Sequence, residues 1–201
     1  QGNHLYLTID ARIQYIAERA VRDAGVGRGA VVVVDPNNGD ILAMASNPSY
    51  DPNTFIPSIT VDAWETLTSD DTDPLTNRAI QGYAPGSTFK TVTALAGLRA
   101  GIPAGRSFDC GGGAQYGAKF MMCWVTAQRM SPHGSLTLPD AIKHSCNGFF
   151  YRYGNEAGIQ NILAISAALG LGTQTGVPLT GESKGLIPGP DWLKSVSPNE
   201  R

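Results

Sequence analysis

The stretch GAVVVVDPNNGDILAMAS, residues 29–46, constrains the fold of this chain more than any other. Ala30 to Val34 is a β-branched run, Pro36-Asn37-Asn38-Gly39 is a turn sequence, and Ile41 to Ala45 returns. That pattern predicts a β-hairpin. Four consecutive valines without polar alternation predict a strand buried on both faces. A two-stranded ribbon is marginal in water, so this hairpin calls for further sheet partners. The rest of the sequence does not obviously supply them.

Most of the remainder reads as helix and loop. Asp10 is a candidate N-cap, and Ile13, Ile16, Ala17, Ala20 and Val21 follow at helical spacing until Gly25. Residues 46–86 are punctuated by Pro48, Pro52, Pro57, Pro74 and Pro85 and read as loop. A helix is expected from Ser87 to Ala100, ended by Gly101. Residues 103–135 read as irregular. Thr137-Leu138-Pro139-Asp140 resembles a capping box leading a short helix to His144. A longer helix is expected over 149–169, ended by Gly170, and the tail from Thr173 is turn-rich. The class is α+β.

Composition excludes several functions. A formal net charge of -2 leaves no basic surplus for nucleic acid. No apolar run approaches the ~20 residues that span a bilayer. The first residue is Gln1 rather than Met, as in a processed product or an excised piece. Three cysteines are an odd number, so an oxidising compartment would leave at least one free, metal-bound or paired elsewhere.

The chemistry concentrates at GYAPGSTFK, residues 82–90. Ser87 and Lys90 lie three apart, which puts both on one helix face. A serine hydroxyl is a weak nucleophile until its proton is taken, and a lysine whose pKa is lowered by burial can take it. The helix N-terminus favours a developing oxyanion. On spacing alone, a surface serine cap followed by an exposed lysine is the favoured account of the pair. Against this, TFKTVTALAGL carries no other charge. Ser145-Cys146-Asn147, at a junction of two helices, can aim Ser145 and Asn147 into one cleft; as a lone tripeptide it has almost no specificity and is better explained as a plain C-terminal cap.

Together, Ser87-Thr88-Phe89-Lys90 and Ser145-Cys146-Asn147 resemble the S-x-x-K and S-x-N motifs of penicillin-binding proteins and serine β-lactamases. LTIDARIQ, RGAVVVVDPNNGDILAMASNPSYDPN, NRAIQGYAPGSTFK and GLGTQTGVPLTGESKGLIPGPDW narrow the resemblance to the class B transpeptidases, and within them to the elongation-specific penicillin-binding protein 2 group. The resemblance covers essentially the whole chain. It implies a serine β-lactamase/transpeptidase-like fold, helices on an antiparallel sheet, with residues 1–201 a partial penicillin-binding domain. It implies Ser87 as the acylated nucleophile, Lys90 as its base, Ser145 as a proton shuttle and Asn147 as a holder of the substrate amide. The implied substrates are the D-Ala-D-Ala ends of peptidoglycan stem peptides, with β-lactam antibiotics as mimics and no catalytic cofactor. The implied setting is the periplasmic face of a bacterial inner membrane, beside a membrane glycan polymerase and other elongation proteins. The family's membrane anchor is not in this sequence.

One departure is plain: the sequence contains no Lys-Thr-Gly or Lys-Ser-Gly. The resemblance places that third motif on a later strand, so the sheet is expected to be incomplete and this piece alone weakly active or inactive. A β-lactam-hydrolysing enzyme and a non-catalytic scaffold of the same fold are the alternatives. Nothing in the sequence marks a dedicated deacylation base for the first, and the second rests only on the missing motif.

Cys110, Cys123, His133 and Cys146 are separated by 13, 10 and 13 positions, which matches no zinc-finger spacing. Without the family, a Cys110–Cys123 disulfide and a loop histidine account for them. The resemblance implies instead a structural zinc ion held by Asp109, Cys123, His133 and Cys146, pinning the 103–135 segment against the second motif. Cys110, beside Asp109, stands as a rival ligand or disulfide partner.

Overall fold

The computed structural model describes residues 3–196. They divide into two compact units, one running through Gln81 with Thr180–Glu182, the other Gly82–Leu179 with the residues from Ser183 on.

In the first unit, helix α1 (Ala11–Asp23) starts where expected: the Asp10 carboxylate accepts the N–H groups of Arg12 (2.9 Å) and Ile13 (3.3 Å). Strands β1 (Gly29–Val34) and β2 (Ile41–Asn47) form the antiparallel hairpin. Its turn closes through the Gly39 N–H on the Asp35 carbonyl at 2.8 Å, with Gly39 at φ +83°. Ala17 and Val21 of α1 pack on Ala43 and Ala45 of β2, flanked by Ile13, Val31 and Val33. The Gln14 amide locks the pair, donating to the Met44 carbonyl and accepting the Met44 N–H.

The valine run is not buried on both faces. β1 alternates, and Val32 and Val34 are 42% and 47% exposed. Among the described residues the ladder has two strands and α1 covers one side only, so every second valine faces outward. Helix α2 (Val61–Ser69) interrupts the stretch read as loop, capped by the Thr60 hydroxyl on the Ala63 N–H.

In the second unit, a 3-10 turn (Gly86–Thr88) leads into α3 (Phe89–Arg99), and Gly101 at φ +84° ends it. The segment read as irregular carries β3 (Phe108–Asp109), β4 (Gly113–Tyr116), β5 (Lys119–Met122), the single turn α4 (Trp124–Ala127) and β6 (Ser135–Leu136). β4 pairs with β5, and β3 with β6, both antiparallel. Then come α5 (Leu138–Lys143), α6 (Asn147–Ala157), α7 (Ile159–Ala168) and α8 (Pro190–Val196).

Two expectations fail for local reasons. The helix expected over 149–169 is two, because Gly158 sits at φ +78° and ψ 150°, where no helix continues. The tail read as turns contains α8, for which Pro190 is a first-turn proline and Asp191 a first-turn acid.

α6 is the spine of this unit. Phe149 and Tyr153 are fully buried, stacked at 5.2 Å, and joined edge-on by Phe108. Cys110, Cys123, Val125, Leu138, Ala141 and Cys146 complete the core around them. α3 approaches α6 closely at Gly97, where an added Cβ would lie 2.0 Å from Cε1 of Tyr153. The fold is thus α+β, helices with small antiparallel ladders.

Candidate active site and thiol–imidazole cluster

Ser87 and Lys90 meet because a tight turn feeds a helix. The Thr88 N–H bonds the Pro85 carbonyl at 3.3 Å, which holds Ser87 exposed at the entrance of α3. Lys90, one turn in, folds back with its Nζ 3.1 Å from Ser87 Oγ. Ser87 lies in the 3-10 turn rather than within the α-helix as expected.

The second motif arrives through a left-handed residue. α5 ends at His144, and Ser145 takes φ +49° while its N–H bonds the Ile142 carbonyl. Cys146 then caps α6, its Sγ accepting the Phe149 N–H, and Asn147 is the first helical residue. A helix terminus normally gives this left-handed position to glycine. Here the reversal turns Ser145 and Asn147 toward Lys90.

Lys90 Nζ has four oxygens around it: Ser145 carbonyl at 2.6 Å, Asn147 Oδ1 at 2.6 Å, Ser145 Oγ at 2.8 Å and Ser87 Oγ at 3.1 Å. An ammonium has three N–H bonds to give. Ser87 Oγ, the most distant, is the oxygen most easily left without one. It also accepts the Ser145 hydroxyl at 3.0 Å. Phe150 lies beneath Lys90, its ring centroid 5.9 Å from Nζ. Burial pushes the Lys90 pKa below its ordinary value, opposed by the thiols of Cys123 and Cys146. Ser87, Phe89, Lys90, Asn147, Phe150 and Tyr151 line a cleft of about 390 Å³. A wider cleft in the first unit, about 450 Å³, has no lysine or histidine in its lining. Phe150 and Tyr151 carry no sequence signal for the cleft, because their aromatic character serves core and cleft alike.

Behind the second motif lies the thiol–imidazole cluster. One ligand-capable atom from each of Cys110, Cys123, His133 and Cys146 falls within 4.8 Å of all the others. Cys110 Sγ is 3.6 Å and Cys123 Sγ 3.7 Å from His133 Nδ1, and the sulfurs of Cys123 and Cys146 are 4.0 Å apart. A tetrahedral zinc ion with ordinary bond lengths sets edges of about 3.6 Å for S···N and about 3.8 Å for S···S. The donor types suit zinc, and these three separations lie close to its tetrahedral edges. None of the three cysteines is in a disulfide.

Burial dominates the electrostatics of the cluster. Burial, His144 and Lys90 all lower the His133 pKa, favouring the neutral ring a metal needs. Burial pushes the Cys146 thiol up to about 12. Burial also raises Cys123, but the N–H groups of Gly148 and Val125 outweigh it and hold that thiol below its ordinary value. Three sulfurs this close cannot all ionise unless a cation sits among them. Of the expected ligands, Cys123, His133 and Cys146 converge. Asp109 does not join them: it is exposed, and its Oδ2 accepts the Gly111 N–H at 2.8 Å.

Comparison with known proteins converges on one family. Residues 29–199 match the model of the penicillin binding protein transpeptidase domain. The chain is 36% identical over 197 residues to the peptidoglycan D,D-transpeptidase MrdA of Acinetobacter baumannii, covering 96% of this chain and 28% of that protein. Among solved structures it superposes on Pseudomonas aeruginosa PBP2 in complex with WCK 5153 with a TM-score of 0.84 at 36% identity, covering 94% of this chain and 42% of that one. The PBP2 of the Helicobacter pylori PBP2–MreC complex gives a TM-score of 0.86 at 31% identity, covering 96% of this chain and 35% of that one. The chain thus spans less than half the length of these relatives, and over that span its sequence and its fold agree with theirs: it belongs to the penicillin-binding protein transpeptidase family.

Proposed function

We propose that this chain carries the acylating half of a peptidoglycan D,D-transpeptidase site, with Ser87 as nucleophile and Lys90 as general base. The observation that carries the reading is the ring of oxygens about Lys90 Nζ. Ser145 and Asn147 hold the amine within 3.1 Å of Ser87 Oγ, on a half-buried side chain whose pKa is lowered by burial. A neutral amine keeps two N–H bonds and gains a lone pair. The Ser145 and Asn147 oxygens accept the former, and the lone pair accepts the Ser87 proton.

The proton ledger then closes. Ser87 Oγ attacks the carbonyl carbon of the D-Ala–D-Ala peptide bond as its proton passes to Lys90. The tetrahedral intermediate collapses, the C–N bond breaks, and the departing D-Ala amine takes a proton through Ser145 Oγ, 2.8 Å from Lys90 and 3.0 Å from Ser87. The acyl-enzyme ester is next attacked by an amine of a second stem peptide. Its lost proton returns along the same path, and Ser87 is released as the new amide forms. Asn147 is placed to hold the substrate amide. A β-lactam enters the first step alone, its leaving amine tethered in the opened ring.

The same reading includes a structural zinc ion held by Cys123, His133, Cys146 and a fourth donor from the β3 end. When bound, zinc supplies cross-linking of otherwise separate elements and neutralisation of the thiolates. Cys146 stands between Ser145 and Asn147, so its fixation sets where both side chains point. The setting proposed is the outer face of a bacterial inner membrane, within a cell-wall elongation complex. The H. pylori PBP2–MreC complex supports that assembly.

The test is acyl transfer itself. The full-length protein, given a stem-pentapeptide donor and a D-amino acid acceptor, is expected to form the exchanged peptide and free D-Ala, and the Ser87→Ala variant to form neither. Equal product from both proteins would refute the assignment.

A further inference from the structure

We propose that the fourth metal donor is the thiolate of Cys110 and not the carboxylate of Asp109, so that the centre is built from three thiolates and one imidazole. The proposal rests on the zinc reading above and concerns which atom completes it. Side chains alternate along a strand, so Phe108 and Cys110 share one side of the β3 segment and Asp109 takes the other. Phe108 is committed to the core, edge-on to Phe149 and Tyr153. Cys110 is thereby carried inward as well: it is fully buried, and its N–H extends the ladder to the Gly134 carbonyl at 2.8 Å. Turning Asp109 inward would expel Phe108 from the aromatic cluster and break the Asp109–Gly111 hydrogen bond.

A second observation points the same way. An added Cβ at Gly148, in the first turn of α6, would lie 2.7 Å from Cys110 Sγ. The helix is thus cleared for this sulfur. The Cys110 Sγ–His133 Nδ1 distance of 3.6 Å equals the S···N edge of about 3.6 Å that a tetrahedral zinc requires. The four donors then come from four places: the end of β3, the N-cap of α4, the loop before β6 and the N-cap of α6. One ion closes them into a single knot, and a thiolate-rich set selects zinc over harder divalent ions.

X-ray absorption at the zinc edge of the full-length wild-type protein decides the matter. The expected first shell is three sulfurs at about 2.3 Å and one nitrogen at about 2.0 Å. Two sulfurs with two nitrogen or oxygen donors would overturn the Cys110 assignment and leave the zinc reading intact. A protein without stoichiometric metal would overturn both. In the cobalt-substituted protein, Asp109→Asn is expected to keep the full sulfur-to-cobalt charge-transfer band, and Cys110→Ser to lose about a third of it. The reverse pattern would overturn the assignment. Should Cys110→Ser fail to fold, the wild-type sulfur count still decides.

Discussion

Lys90 is where residue-scale chemistry is decided. Four oxygens face a group with three N–H bonds, and burial disfavours its charge. In the proposed base role the neutral amine is the active form, so acylation by a labelled penicillin is expected to rise with pH and level off below the ordinary lysine value of 10.5. A flat profile from neutral to alkaline pH would contradict the base role. Replacing the base, as in Lys90→Met, is expected to slow acylation by ~10²–10⁴-fold, read in the same assay. Ser145 adds a test of strain. Its φ of +49° suits glycine, so Ser145→Gly is expected to be more stable than Ser145→Ala by about 1–2 kcal/mol in chemical denaturation. Both variants lose the hydroxyl, which isolates the backbone effect. The spacing of Ser87 and Lys90 suggested their pairing, although Ser87 lies in the 3-10 turn ahead of the helix that carries Lys90. The left-handed turn at Ser145 was not legible: a junction between two helices was readable there, but nothing in a Ser-Cys-Asn tripeptide marks the serine for a positive φ.

At the scale of elements, the close approach of α3 and α6 depends on Gly97. A methyl group there would collide with the Tyr153 ring, whose hydroxyl already bonds the Ala94 carbonyl at 3.4 Å. Gly97→Ala is therefore expected to destabilise the protein despite its better helix propensity, by about 1–3 kcal/mol in thermal or urea unfolding. An unchanged or raised stability would show that the two helices can part at no cost. α1, the hairpin and α3 could be read from caps and periodicity because their signals are local. The ladders inside 103–135 could not. β3 and β6 are two residues each, and their pairing is fixed by Phe108 and Leu136 entering a core assembled from distant segments. The Gly158 break was hidden for a related reason: helical spacing persists on both sides of it.

At the scale of the molecule, the first unit buries a small core and leaves Val32 and Val34 of β1 outward, while the second gathers its core around α6 and the thiol–imidazole cluster. Three of the buried residues of that core are cysteines, so the proposed metal and the packing would be one structure there. Removing the metal with a chelator is expected to lower the melting temperature by at least about 4 °C and to weaken acylation at Ser87, since Cys146 sets the second motif. A melting curve indifferent to chelation would mean that apolar packing alone holds 103–135 in place. The family resemblance pointed to the two motifs and to three of the four residues that converge in the cluster. The choice between Asp109 and Cys110 needed the strand's alternation, which a two-residue ladder does not announce.

The central claim is that Ser87, held by Lys90, Ser145 and Asn147, is the residue that becomes acylated. Intact mass of the full-length protein after incubation with a labelled penicillin tests it most directly. One covalent adduct, located on the peptide bearing Ser87 and lost in Ser87→Ala, is the result expected. An adduct that survives in Ser87→Ala, or a wild-type protein that takes up none, would contradict it.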